Sequence, residues 1–142
     1  MKRRIMIVDD EQGILQALRR LFRRMTCSYG VLSYKLEIEM FTTPKGALAR
    51  ARELDFDAFL SDYRMPEMDG IEFLKRAGAL QPDAVKLLFS GTGDHAVVER
   101  AFEELSIFRF IAKPWDDATL VSAVAEALTH RDIMLEQRRG GI

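Results

Sequence analysis

Several familiar devices are missing from this 142-residue chain, and each absence removes a class of protein. It has a single cysteine, Cys27, so no intrachain disulfide can form and a cysteine-rich zinc site is excluded. No stretch approaches the roughly 18 consecutive apolar residues of a membrane span. The basic start Met1-Lys2-Arg3-Arg4 is followed only by Ile5 to Val8 before two aspartates, too short an apolar run for a signal peptide. Charge of one sign is lacking too. Charged residues make up 30% of the chain, yet the net charge is −1, which gives no overall drive toward nucleic acid or anionic membranes. A cytoplasmic protein that binds no membrane is expected. Hydrophobic residues at 48% suffice for the core of one domain without staples.

What is present alternates. Ile5-Met6-Ile7-Val8 reads as a buried strand ending in Asp9-Asp10. Ile14, Leu15, Leu18, Phe22 and Met25 recur at helical spacing, with Arg19, Arg20, Arg23 and Arg24 on the other face. Residues 26–34 have no clear period and read as a loop. Leu36 to Phe41 is a second strand. Thr42 or Thr43 suits the cap of the next helix, with Pro44 in its first turn and Ala47, Leu48, Ala51 and Leu54 as its apolar stripe. A third strand, Ala58 to Leu60, ends at Asp62. A loop holding Pro66 and closed by Gly70 leads to a helix marked by Ile71, Phe73, Leu74 and Ala77. Val85 to Phe89 is a fourth strand ending at Ser90-Gly91-Thr92-Gly93, and Val97, Val98, Ala101, Phe102 and Leu105 mark the next helix. Phe108 to Ala112 is a fifth strand ending at Lys113-Pro114, and Leu120, Val121, Val124 and Leu128 mark a fifth helix. Five strand–helix pairs imply a parallel sheet with helices on both faces and right-handed crossovers. Residues 1–130 form the domain; residues 131–142 read as a helix extension or a truncated linker.

The polar residues fall at the strand ends: Asp9 and Asp10, Asp62, Ser90 and Lys113. In an open parallel sheet, ligands bind beyond the carboxyl ends of the strands. Singly, each residue has a plainer explanation, since an aspartate after a strand is most often a turn former or cap and a lone lysine is usually solvated. Jointly they define a site. Three carboxylates repel at close range. A hard divalent cation resolves the repulsion, and Mg²⁺ prefers oxygen ligands. With a lysine and a hydroxyl alongside, the set suits a phosphoryl group. An aspartate can act as its nucleophile.

Ile7-Val8-Asp9-Asp10-Glu11, the block Leu60-Ser61-Asp62-Tyr63-Arg64-Met65-Pro66-Glu67-Met68-Asp69-Gly70, Phe89-Ser90-Gly91 and Ala112-Lys113-Pro114 together resemble the signature of two-component response-regulator receivers. The resemblance spans about residues 4–130. It implies a flavodoxin-like (βα)5 three-layer sandwich, its five-stranded parallel sheet in the order 2-1-3-4-5. It implies Asp62 as phosphoacceptor, and Mg²⁺ held by Asp9, Asp10, Asp62 and the backbone carbonyl of Arg64. Lys113 contacts the phosphoryl group, and Ser90 moves to bond one of its oxygens. Phe110 takes the aromatic switch position; lacking a hydroxyl, it works through packing, or is simply a core residue. Gly91 leaves the phosphoryl group accessible, and Arg64 and Thr92 tune its lifetime. A cis bond often precedes the proline that matches Pro114.

The implied donor is a sensor histidine kinase or phosphotransfer protein. The response is a shift of the fourth helix, fifth strand and fifth helix that controls an output domain C-terminal to this chain, a homodimer or another partner. The chain is not expected to turn over substrate beyond its own phosphorylation and dephosphorylation. A stand-alone receiver is an alternative. A Mg²⁺-dependent aspartate phosphatase is another, disfavoured because the haloacid-dehalogenase type places D-x-D after its first strand, where this chain has adjacent aspartates. The Lys113-Pro114-Trp115-Asp116-Asp117 run is similar to receivers that precede signalling-enzyme domains such as cyclic-di-nucleotide phosphodiesterases. No helix-turn-helix fits the remaining residues, so the arginine face of the first helix reads as solvated and direct nucleic-acid binding is not expected. His95 is expected to open the fourth helix and His130 to close the fifth. The long segment from Met25 to Leu36 departs from the family pattern and adds a loop or a longer helix.

Overall fold

The computed structural model describes residues 1–91 and 93–140. Along the chain lie β1 (Lys2–Val8), α1 (Gln12–Arg24), β2 (Cys27–Tyr29), β3 (Leu32–Phe41), α2 (Pro44–Ala51), β4 (Ala58–Asp62), α3 (Gly70–Leu80), β5 (Val85–Ser90), α4 (His95–Glu104), β6 (Arg109–Ala112) and α5 (Asp117–Gly140). The sheet order is β2-β3-β1-β4-β5-β6. Its last five strands are parallel and reproduce the expected 2-1-3-4-5 arrangement.

Alternation along each strand divides the core into two layers, as the pleat requires. Ile5, Ile7, Leu60, Leu87 and Phe89 face α1 and α5, while Met6, Val8, Phe59 and Leu88 face α2 and α3. Both faces are covered, which is why these strands read as continuous apolar runs. Local chemistry sets the helix starts. Thr43, not Thr42, caps α2, accepting the Gly46 N–H at 3.1 Å with Pro44 following. Asp69 caps α3 through the Glu72 N–H at 2.9 Å. Helix α4 is anchored thinly: only Ala101 is buried, and Phe102, expected in its apolar stripe, is 66% exposed.

Two expectations are corrected. The loop assigned to residues 26–34 is a β-hairpin. β2 pairs antiparallel with the start of β3, making a sixth strand at the sheet edge. Gly30-Val31 forms the two-residue turn between Tyr29 and Leu32, and Gly30 takes the positive φ of 61° that such turns need. Cys27 and Tyr34 bury the ends of the hairpin against α5, while residues 28–33 are exposed. The Thr129 hydroxyl donates to the Ala125 carbonyl, leaving its lone pair for the Tyr34 hydroxyl at 2.7 Å.

The second correction concerns α5, which does not end at His130 but continues through Gly140. His130 is therefore inside the helix, its ring 5.2 Å from that of Phe108. The extra turns are tied to the amino-terminal edge of the sheet. Asp132 accepts from Arg3 at 2.6 Å, Arg131 lies 3.0 Å from Asp57, and Arg138 reaches Asp83 at 2.6 Å. No helix among the described residues is long and apolar enough to cross a membrane.

Cys27, at the start of β2, is buried against α5, and burial pushes its thiol up to about 11. Against its ordinary value of 9.0, that leaves about 100-fold less thiolate at pH 8. Ellman's reagent at pH 8 is therefore expected to react at least about 100-fold more slowly with the folded chain than with the chain in urea. Equal rates would contradict the packing of β2 against α5.

Candidate functional site

The parallel strands end together, and backbone hydrogen bonds fix their ends against one another. The Asp9 N–H donates to the Phe41 carbonyl at 3.1 Å, that of Tyr63 to Phe89 at 3.2 Å, and that of Lys113 to Ser90 at 2.9 Å. Residues just past each strand thus emerge at one edge of the sheet. Asp9 is fully buried, Asp62 is 8% exposed, and Asp10 is exposed. Carboxylate oxygens of Asp9, Asp10 and Asp62 all lie within 4.8 Å of one another. The Lys113 ammonium stands between two of them, 2.7 Å from Asp9 Oδ2 and 3.1 Å from Asp62 Oδ1. Asp9 Oδ1 is held separately by the Glu11 N–H at 2.9 Å. The Lys113–Pro114 peptide is cis.

Asp62 and Lys113 feel this crowding differently. Burial, and then the neighbouring charge of Asp9, raise the pKa of Asp62; Lys113 offsets only part of this. Burial alone would lower Lys113, but its hydrogen bonds and charge interactions with Asp9 and Asp62 outweigh burial, so it is raised and stays an ammonium. The all-oxygen donor set of three acidic residues matches a hard cation such as Mg²⁺ better than a soft metal.

The remaining expected residues fall around this cluster. Ser90 ends β5, half-buried. Phe110 is half-buried on β6, its ring 5.0 Å from the exposed ring of Phe102 on α4. Arg64 is exposed in the β4–α3 loop, and its guanidinium reaches 2.6 Å from Asp94. Gly91 follows β5, its N–H donating to the same Asp94 at 2.7 Å. Thr92 lies outside the described residues. His95 opens α4.

Sequence reasoning missed two residues. The sequence does not single out Asp94, yet the residue is 3% exposed and its carboxylate bonds Arg64 and Gly91 rather than capping α4. Gly70 reads as a turn residue, but its role is close approach: a Cβ there would lie 2.1 Å from the Asp62 carbonyl oxygen. The Gly70 N–H also donates to the Tyr63 carbonyl at 2.8 Å, folding the loop back over the end of β4. Within that loop Glu67 takes a φ of 71°, a conformation that costs a non-glycine residue about 1–3 kcal/mol.

This fold, with its acidic cluster and lysine at the carboxyl edge of the sheet, defines a receiver. The profile of the response regulator receiver domain family matches residues 5–125, and the chain belongs to that family. It is 31% identical to the hydrogenase transcriptional regulatory protein HoxA of Bradyrhizobium diazoefficiens over 97% of this chain, but only 26% of HoxA. The transcriptional regulatory protein FixJ of Rhizobium meliloti is 26% identical, over 87% of this chain and 56% of FixJ. The chain therefore spans about a quarter to about half the length of these relatives. Among solved structures, the signal receiver domain of an HD domain-containing protein from Pseudomonas fluorescens Pf-5 superposes with a TM-score of 0.82 at 30% identity, covering 96% of this chain and 95% of that one.

Because the folded-state pKa of Asp62 is raised, its ionisation opposes folding. That penalty is absent below the unfolded carboxyl value and grows as pH rises through the folded one. Asp62→Asn is expected to raise the midpoint of urea unfolding at pH 7 in EDTA, with the gain shrinking toward pH 3. A midpoint that falls at pH 7 contradicts the burial described. Gly70→Ala is expected to cost more than about 2 kcal/mol in the same experiment, because backbone must move to admit the methyl group.

Proposed function

We propose that this receiver carries its phosphoryl group on Asp62. One observation carries the reading: a nearly buried carboxylate lies 3.1 Å from a lysine ammonium and beside two further carboxylates, at the end of a central parallel strand. An Asp62 oxygen forms a bond to the phosphorus of a phosphohistidine. The bond from phosphorus to the ring nitrogen breaks, its electron pair stays on the imidazole, and that nitrogen takes up a proton. The donor is a sensor histidine kinase or a phosphotransfer protein.

Asp9, Asp10 and Asp62, with the Arg64 carbonyl, would hold Mg²⁺. Bound there, the ion supplies charge neutralisation to the phosphoryl oxygens. Lys113 keeps a positive charge at Asp62 and turns it to a phosphoryl oxygen once the carboxylate has become an acyl phosphate. Ser90 donates its hydroxyl to another. Movement of Ser90 draws the β5–α4 loop inward, and Phe110 repacks against Phe102 by shape alone. The shift biases α4, β6 and α5, the face presented to an output domain or a second copy. Residues 1–130 constitute the receiver, and the end of α5 carries its response onward. The relatives' names as transcriptional regulators support a regulatory output. The reading also places the protein in the cytoplasm, with catalysis limited to its own phosphorylation and dephosphorylation.

Incubation with radiolabelled acetyl phosphate and Mg²⁺ is expected to label the chain at one site, with Asp62→Asn abolishing the label. Persistent labelling of that variant at equal stoichiometry overturns the assignment. A single covalent event per chain, without sustained hydrolysis of a generic phosphate ester, separates this reading from a phosphatase. Arg64→Ala is expected to change the decay rate of the label by severalfold, read from the same gels after a chase.

A further inference from the structure

Asp94 sits at the N-cap position of α4, where an aspartate normally accepts a hydrogen bond from the second or third helical N–H. Here it makes no capping bond, and its backbone angles, φ −93° and ψ 23°, are not those of a regular cap. Its side chain is turned inward instead. One oxygen takes the Arg64 guanidinium at 2.6 Å, and the other takes the Gly91 N–H at 2.7 Å. These two donors flank the candidate site. Asp62 pairs with Phe89 in the β4–β5 register, so Arg64 and Gly91 each stand two residues further along their own chain segments. The carboxylate therefore forgoes its capping bond and bridges the two loops on either side of Asp62.

We propose that Asp94 is a carboxylate with two positions, and that phosphorylation of Asp62 moves it from one to the other. The inference rests on the reading of Asp62 given above. In the unmodified chain, Asp94 supplies the anion that Arg64 and Gly91 would otherwise leave unpaired. A phosphoryl group on Asp62 brings stronger acceptor oxygens to the same two loops. Arg64 and the Gly91 N–H turn to those oxygens, and Asp94, now without partners, swings to cap α4 at the Val97 N–H. Asp94 is thus a positioning residue that converts charge at Asp62 into order at the first turn of α4.

Helix α4 is suited to such control. Only Ala101 is buried, so little apolar surface resists a change in its first turn. It is also tied by the Phe102–Phe110 ring contact, by the half-buried Val97, and by exposed ion pairs to α3 and its cap, Lys75 with Glu104 at 2.8 Å and Arg100 with Asp69 at 3.4 Å. Pairs of this kind contribute little to stability.

The test is amide exchange and ¹⁵N chemical shift in the full chain, with beryllium fluoride and Mg²⁺ as the phosphoryl mimic. In the wild type, the mimic is expected to shift the Gly91 amide and slow exchange at Val97 by about fivefold. Asp94→Ala is expected to remove the Val97 response. Arg64→Ala, with no mimic added, is expected to protect Val97 in part, because it frees the carboxylate from one partner. A wild-type chain that takes up the mimic yet leaves Val97 unprotected overturns this proposal alone. A Val97 response that persists in Asp94→Ala, or Val97 exchange that is unchanged in Arg64→Ala, does the same. A wild-type chain in which the mimic moves no resonance near Asp62 overturns the phosphoacceptor reading, and this proposal with it.

Discussion

The Lys113 ammonium between Asp9 and Asp62 is the interaction on which the rest of the site depends. Asp9 is wholly buried and Asp62 nearly so, and two desolvated carboxylates cannot approach one another without a counter-charge. Lys113 provides it from the far strand of the parallel set. That requires β6 to end level with β4 and β1, which the backbone bonds between neighbouring strand ends secure. A charge at one edge of the sheet thus constrains the register of every strand that reaches it. The two positions of Asp94 extend the same logic outward, with a carboxylate serving as resident anion wherever donors would otherwise lack one.

Stability and responsiveness are placed at different parts of the fold. On the α5 side, buried residues run almost continuously from Leu120 to Thr129, and the helix then continues along the amino-terminal edge under three ion pairs. On the opposite layer, α4 offers one buried alanine and an exposed phenylalanine. Change at the site therefore meets least resistance in α4, where few apolar contacts must be broken. Phe110 touches Phe102 at the boundary between the firm sheet and the loose helix. Having no hydroxyl, it meets α4 through packing alone.

Much of this was legible in the chain itself. Ile5 to Val8 and Val85 to Phe89 are apolar on both pleat faces, and only a parallel strand covered on both sides demands that. Asp9 and Lys113 follow such a run directly and Asp62 follows one after Ser61, so their convergence was foreseeable from topology before any coordinates. The β2–β3 hairpin was not read, because Cys27 to Tyr29 is too short and mixed to show a period of two. The surviving signal was Gly30 between an aromatic and a β-branched residue. His130 was also misplaced as the end of α5, although a helix extension was one of the two readings of residues 131–142. Beyond His130 its apolar residues thin out and arginines and acids take over, which looks like a frayed end unless the partners Arg3, Asp57 and Asp83 are in view.

The sequence by itself determined the fold class and the identity of the residues at the strand ends, because both follow from periodicity and from the short-range rules that end strands and start helices, while the order of the parallel strands came from the family resemblance. Only the tertiary structure decided what Asp94, Gly70 and the end of α5 do. Asp94 forgoes its local capping bond for donors on two loops, Gly70 is set by the approach of a carbonyl eight residues earlier, and the end of α5 is held by charges 55 to 129 residues away. Apart from the Gly91 bond to Asp94, such contacts join positions that no local pattern connects. Their energies depend on burial and distance, which arise only once the chain has closed on itself.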